Sequence, residues 1–102
     1  MNKDKIYSFI GLATKAGKTV TGYDLIHKAI KSNKTNLVIV ATDASDNTKK
    51  KFEDCCSHNG VRLICFGEKE QIGRFTGKDE RASVAICDNN FANGLLQLID
   101  NE

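Results

Sequence analysis

The stretch Leu37-Val38-Ile39-Val40-Ala41-Thr42-Asp43-Ala44-Ser45-Asp46 decides the fold. Its first five residues are apolar and rich in β-branched side chains, the pattern of a strand covered on both faces. Asp43 to Asp46 breaks that run and supplies capping side chains for a helix over about Asn47 to His58. Thr48, Phe52, Cys55 and Cys56 recur on its inward face, Lys49-Lys50-Lys51 lies on or beside its outer face, and Asn59-Gly60 ends it. A doubly covered strand followed at once by an amphipathic helix is one period of an α/β pattern, and the flanking sequence repeats it.

Upstream, Asp4 to Lys15 reads as a helix with Ile6, Phe9, Ile10 and Ala13 on one face, Asn2 or Asp4 at its start and Gly17 at its end. Thr19 to Thr21 is a brief extended piece. Thr21 and Asp24 have the spacing of a capping box for a helix from Gly22 to about Ser32, which buries Leu25 or Ile26, Ala29 and Ile30. Downstream, Val61 to Phe66 reads as a strand, Gly67 to Phe75 as a short helix, and Thr76 to Arg81 as a polar loop. Ala82 to Cys87 reads as a strand, and Asn89 and Asn90 cap a last helix carrying Phe91, Leu95, Leu98 and Ile99 inward. Strands joined through helices are expected to run parallel, with the short first strand free to run antiparallel.

At 102 residues, with 40% hydrophobic and 27% charged residues, the whole chain reads as a single globular domain. No apolar run reaches the ~20 residues a membrane span needs, and the start, Met-Asn-Lys-Asp-Lys, lacks a signal peptide's apolar segment. A cytoplasmic location follows as the expectation, with no membrane partner. The four cysteines, Cys55, Cys56, Cys65 and Cys87, are then expected to be reduced, and the incomplete ligand set around Cys55-Cys56-Ser57-His58 argues against zinc.

Three chemistries can be weighed. Gly11 to Thr19 imitates a phosphate-binding loop, but five residues separate Gly11 from Gly17, the required glycine position holds Leu12, and a helix precedes it where a strand is needed. The two histidines, His27 and His58, stand near no serine elbow or carboxylate pair that would make either catalytic. No catalytic residue, metal or cofactor is expected. The third chemistry is anion binding. The segment Ala16 to Ile30 places a lysine-bearing turn before a helix start whose free amides favour negative charge. Lys15, Lys18 and Lys28 lie on or before that helix, and Arg74, Lys78 and Arg81 lie in or near the loop before the last strand. Convergence of these loops at one end of the sheet would make one site; solvated lysines on separate faces account for the same residues equally well.

Gly17-Lys18-x-x-x-Gly22, Lys28-Ala29-Ile30, Leu37 to Ala41 with Asp43-Ala44-Ser45, Asn47-Thr48-Lys49-Lys50-Lys51 and Gly77-Lys78-Asp79-x-Arg81 together resemble the kink-turn RNA-binding ribosomal protein family (the L-seven-Ae, L-thirty-e and Gadd-forty-five superfamily). Across nearly the whole chain the resemblance is closest to its bacterial YlxQ-like branch. It implies a three-layer α/β/α sandwich around a mixed four-stranded sheet. It also implies a non-catalytic protein that binds a kink-turn or similar bent RNA, in ribosomal RNA or a riboswitch, on or off the ribosome and as a monomer. The implied contacts are Gly22 as the close-approach glycine, Lys18 and Lys28 as cations, Thr21 and Tyr23 flanking the approach, and Lys78, Asp79, Glu80 and Arg81 in the base-contacting loop.

Where the family carries an Asn-Glu pair, this chain has Asp24 and Leu25. Asp24 accepts hydrogen bonds but cannot donate, and Leu25 does neither. Losing one good base contact costs on the order of 1–3 kcal/mol, by analogy with DNA readout. The same substitution suits a rival reading, a protein-interaction adaptor on the same fold with weak or no specific RNA binding.

Overall fold

The computed structural model describes residues 2–100. Its elements alternate as α1 (Lys3–Lys15), β1 (Thr19–Thr21), α2 (Tyr23–Lys31), β2 (Leu37–Val40), α3 (Asp46–Asn59), β3 (Arg62–Cys65), α4 (Lys69–Phe75), β4 (Ser83–Ile86) and α5 (Asn89–Asp100). The strands form one mixed sheet in the order β1-β4-β2-β3. The α/β architecture read from the sequence is therefore present, with helices α2 and α3 packed together and α1 packed on α4 and α5.

The two central strands explain the composition of their segments. Every residue of β2 and β4 is buried, so both read as continuous apolar runs apart from Ser83. The edge strands β1 and β3 are only partly covered. Helix α1 starts where the Asn2 Oδ1 accepts from the Lys5 N–H at 3.1 Å. It buries Ile6, Tyr7, Ile10 and Ala13. Tyr7 replaces Phe9 on the deepest face: its ring stacks on Phe75 at 5.2 Å and its hydroxyl accepts from the Glu68 N–H at 3.1 Å. Phe9 instead meets Phe91 edge-on at 5.7 Å.

Strand β4 departs from the parallel expectation. It runs antiparallel to both β1 and β2, whereas β2 and β3 are parallel. The cause lies in the loop after α4. The Arg81 N–H bonds the Lys69 carbonyl at 3.1 Å, which returns the chain to the beginning of α4. Strand β4 therefore starts beside the C-terminal ends of β2 and β3 and runs back. As a result β1, β2 and β3 point one way, and α2, α3 and α4 all begin at the same pole of the sheet. In open α/β sheets ligands gather outside the carboxyl ends of the strands.

Two capping expectations change. Asn89 donates no cap to α5: its Oδ1 accepts from Asn36 Nδ2 at 3.2 Å, and the Asp88 carboxylate caps the helix through the Phe91 N–H at 3.0 Å. The capping box at Thr21 does not form either, because Gly22 occupies the N-cap position of α2 and no side chain caps that helix.

Candidate nucleic-acid interface

The three helix starts at this pole differ in what meets them. Helix α3 is capped by Ser45, whose hydroxyl accepts from the Thr48 N–H at 3.1 Å. At α4 the Asp43 carboxylate accepts from the Lys69 N–H at 2.9 Å, so an anion of the protein already sits there. Helix α2 has neither. Its first turn is the one that presents amides and the positive end of the helix dipole to an outside anion.

Gly22 makes this arrangement accessible. Its φ of 87° lies in the region L side chains rarely adopt, and a Cβ built there would meet nothing within 4 Å. The turn is thus both backbone-restricted and open to approach. Beyond it Asp24, Leu25 and Lys28 form the exposed stripe of α2, with Leu25 57% exposed, while Ile26, Ala29 and Ile30 face the core. The sequence left Leu25 and Ile26 as alternatives for the buried position; Ile26 takes it.

The second component is the loop 76–81. Thr76 donates its hydroxyl to the Ile72 carbonyl at 2.7 Å, and the Lys78 N–H bonds the Gly73 carbonyl at 2.8 Å. The fold-back is close enough that the Asp79 carbonyl occupies the space a Cβ on Gly73 would need. Gly73 is a loop-setting residue that the motif reading missed. The available signal was a glycine inside a helical pattern, which marks close backbone approach.

These two components meet. The register of β1 and β4 sets Thr21 opposite Val84, and Arg81 Nε donates to Thr21 Oγ1 at 3.3 Å. The Thr21 hydroxyl is therefore engaged across the sheet, one residue before the N-cap position that Gly22 takes. Arg81 Nη1 also donates to the Glu80 carbonyl at 2.9 Å, and Lys78, Asp79 and Glu80 remain exposed. The site so assembled sets Lys28, Lys78 and Arg81 against Asp24, Asp79 and Glu80.

Two of the expected residues are placed differently from the rest. Tyr23 turns toward α3, edge-on to Phe52 at 5.2 Å and stacked with His27 at 5.6 Å. Burial chiefly, then the nearby Cys55 and Asp24, hold its phenol above the usual tyrosine range. Tyr23 seats the first turn of α2 rather than reaching outward. Lys18 lies at the opposite pole: Thr19 pairs with Ile86, and the Lys18 carbonyl accepts from the Cys87 N–H at 2.7 Å. Four residue steps along β1 separate it from Gly22 by roughly 13 Å of extended backbone.

Among the described residues no group of three or more His, Cys, Asp or Glu side chains could hold a metal ion, and no helix is long and apolar enough to cross a membrane.

Known proteins share this architecture. The chain is 39% identical to the RNA-binding protein YlxQ of Bacillus subtilis (strain 168) over 94 residues, covering 92% of this chain and 94% of that protein. It is 38% identical to the RNA-binding protein YlxQ of Enterococcus faecium over 99 residues, or 97% and 95% of the two chains. A solved structure of a protein with unknown function from Bacillus halodurans C superimposes with a TM-score of 0.89 at 35% identity, over 94% of this chain and 97% of that one. The 15.5kD RNA binding protein of Giardia lamblia shares the fold, with a TM-score of 0.78 at 19% identity over 93% and 82% of the chains. The family model for these sequences matches residues 4–96, and the chain belongs to the ribosomal protein L7Ae/L30e/S12e/Gadd45 family.

Proposed function

We propose that this chain is a non-catalytic RNA-binding protein that recognises a kink-turn or similarly bent RNA through the start of α2 and the loop before β4. The observation that carries the reading is the Arg81–Thr21 contact, which joins the uncapped, glycine-opened helix start to the second loop as one surface. The names of the YlxQ relatives support RNA as the ligand class. Phosphates meet Lys28, Lys78 and Arg81 and supply most of the salt-dependent affinity, while the first turn of α2 meets base edges. The protein acts by binding the bent conformer better than the extended one, which shifts the RNA toward the bend. Its host is a ribosomal RNA or a riboswitch, and it works as a cytoplasmic monomer.

A specific observation favours a second reading. Leu25 is a large apolar side chain 57% exposed at the middle of the candidate surface, and it suits a protein contact better than a base edge. In that adaptor reading the same face takes a protein partner. Calorimetric titration with a standard kink-turn RNA, and with the same RNA carrying replaced G·A pairs, separates the two. Tight binding that depends on the G·A pairs supports the RNA reading. Weak binding, equal for both RNAs, overturns it in favour of the adaptor.

A further inference from the structure

The run Lys49-Lys50-Lys51 is the densest positive charge in the sequence, and the surface described above does not use it. The fold divides it. Lys49 donates its Nζ to the Thr42 carbonyl at 2.7 Å and lines a groove of about 400 Å³ with Glu53, Ser57, Leu63 and Cys65, on the β3 side of α3. Lys50 is exposed, one residue further around the helix. Lys51 lies on the other flank, with its Nζ 4.8 Å from the centroid of the Tyr23 ring. Tyr23 is the first residue of α2, so this one ammonium of the run is held beside the uncapped helix start.

That placement has an electrostatic consequence. The assembled site balances three cations, Lys28, Lys78 and Arg81, with three carboxylates, Asp24, Asp79 and Glu80. A charge-balanced surface has little attraction for a polyanion, because phosphate affinity follows the cations that displace counterions. Lys51 adds a cation beside the first residue of α2, on the same Tyr23 ring that feels Asp24 and Asp54. The ring beneath it restrains the ammonium by a cation–π contact, which lowers the ordering cost when a phosphate arrives.

We infer that Lys51, alone of the three lysines, is an RNA-phosphate contact that extends the α2 surface onto α3 through Tyr23. This rests on RNA being the ligand of that surface, and it adds a second helix to the footprint.

The test is the salt dependence of binding of a standard kink-turn RNA, by titration at a series of monovalent salt concentrations. It compares the wild type, Lys51→Gln, Lys49→Gln and the rescue variant Lys51→Arg. Lys51→Gln should lower the slope of log K against log[salt] by about one, weakening binding about fivefold near 0.15 M salt. Lys49→Gln should leave the slope unchanged, and Lys51→Arg should restore it, since both its charge and its ring contact survive. A purely structural role for Lys51 on Tyr23 would move thermal stability without moving the slope, and would overturn the inference. An equal loss in Lys49→Gln would overturn it too, by making the run a diffuse basic face. If the wild type ignores the G·A pairs yet Lys51→Gln still lowers the slope, the kink-turn reading falls and the Lys51 contact stands. If the wild type requires the G·A pairs and the slope does not move, the Lys51 contact falls alone.

Discussion

The two ends of the three-residue β1 could hardly differ more. At the Thr21 end, a glycine turn opens onto an uncapped helix start, and Arg81 reaches across from a loop 60 residues later. At the Lys18 end, the backbone is tied to Cys87 and to the Ala13 carbonyl in the last turn of α1, where the helix dipole is negative. Burial there holds the Cys87 thiol above its ordinary range despite the nearby Lys34. In a turn, residues four apart share a site; in a strand, they are carried to opposite edges of the sheet. Gly17-Lys18-x-x-x-Gly22 looks like one basic glycine motif, and β1 divides it.

The largest effect is expected at Gly73. Gly73→Val puts a branched side chain where the Asp79 carbonyl now lies, so the loop 76–81 must lift away from α4. The expected cost is about 3 kcal/mol of stability, typical of severe overpacking. RNA affinity should also fall by at least tenfold, because Arg81 leaves Thr21. Thermal unfolding together with titration checks both. A stable protein with unchanged affinity would show that the loop is no part of the site.

The core beneath α3 is expected to weaken in alkali. Burial chiefly, then neighbouring Cys55, raises the Cys56 thiol from 9.0 to about 11. Because the folded-state value lies above the unfolded one, this contribution is fully present below pH 9 and is lost as pH rises toward 11. The loss is on the order of 2–3 kcal/mol. Urea unfolding at pH 8 and pH 11 should show it, and Cys56→Ala should remove that part of the dependence. Since the core serves both poles, hydrogen exchange should loosen the Thr21 and Lys18 ends together.

A gain of function sharpens the contrast at the Thr21 end. Asp24→Asn with Leu25→Glu supplies a donor and an acceptor on the exposed stripe, and should tighten binding to a kink-turn RNA by about tenfold. The same pair should weaken any protein contact that uses Leu25. The smallest effect compares single cations. Lys28→Gln should weaken RNA binding about fivefold near 0.15 M salt and lower the salt slope by about one, whereas Lys18→Gln should change affinity by less than about twofold. Equal losses at Lys18 and Lys28 would mean that the RNA spans both poles.

The sequence carried the order of elements because each has a local cause. Leu37 to Val40 is buried on both faces and reads so; Ser45 caps α3 and lies where a cap is needed. The direction of β4 was not legible from periodicity, since it depends on the Arg81–Lys69 backbone bond that turns the chain back along α4. The capping box at Thr21 failed for a local reason: a spacing rule cannot see that Gly22, at φ 87°, takes the N-cap position instead. The site was legible in part. Gly22, Asp24, Leu25 and Lys28 follow from one helix start, and convergence with the 76–81 loop could be anticipated from topology alone. The resemblance sets Tyr23 beside the approach, and periodicity alone does not show that its ring packs edge-on to Phe52 of α3.

The most direct test of the central claim is a map of backbone amide shifts in the isotope-labelled protein as a standard kink-turn RNA is added. The account predicts that the largest shifts fall in two segments, Thr21 to Lys28 and Gly77 to Arg81, and that Lys18 and Cys87 stay near their free positions. Shifts concentrated around Lys18 and Cys87, or spread evenly over the lysines, would contradict it.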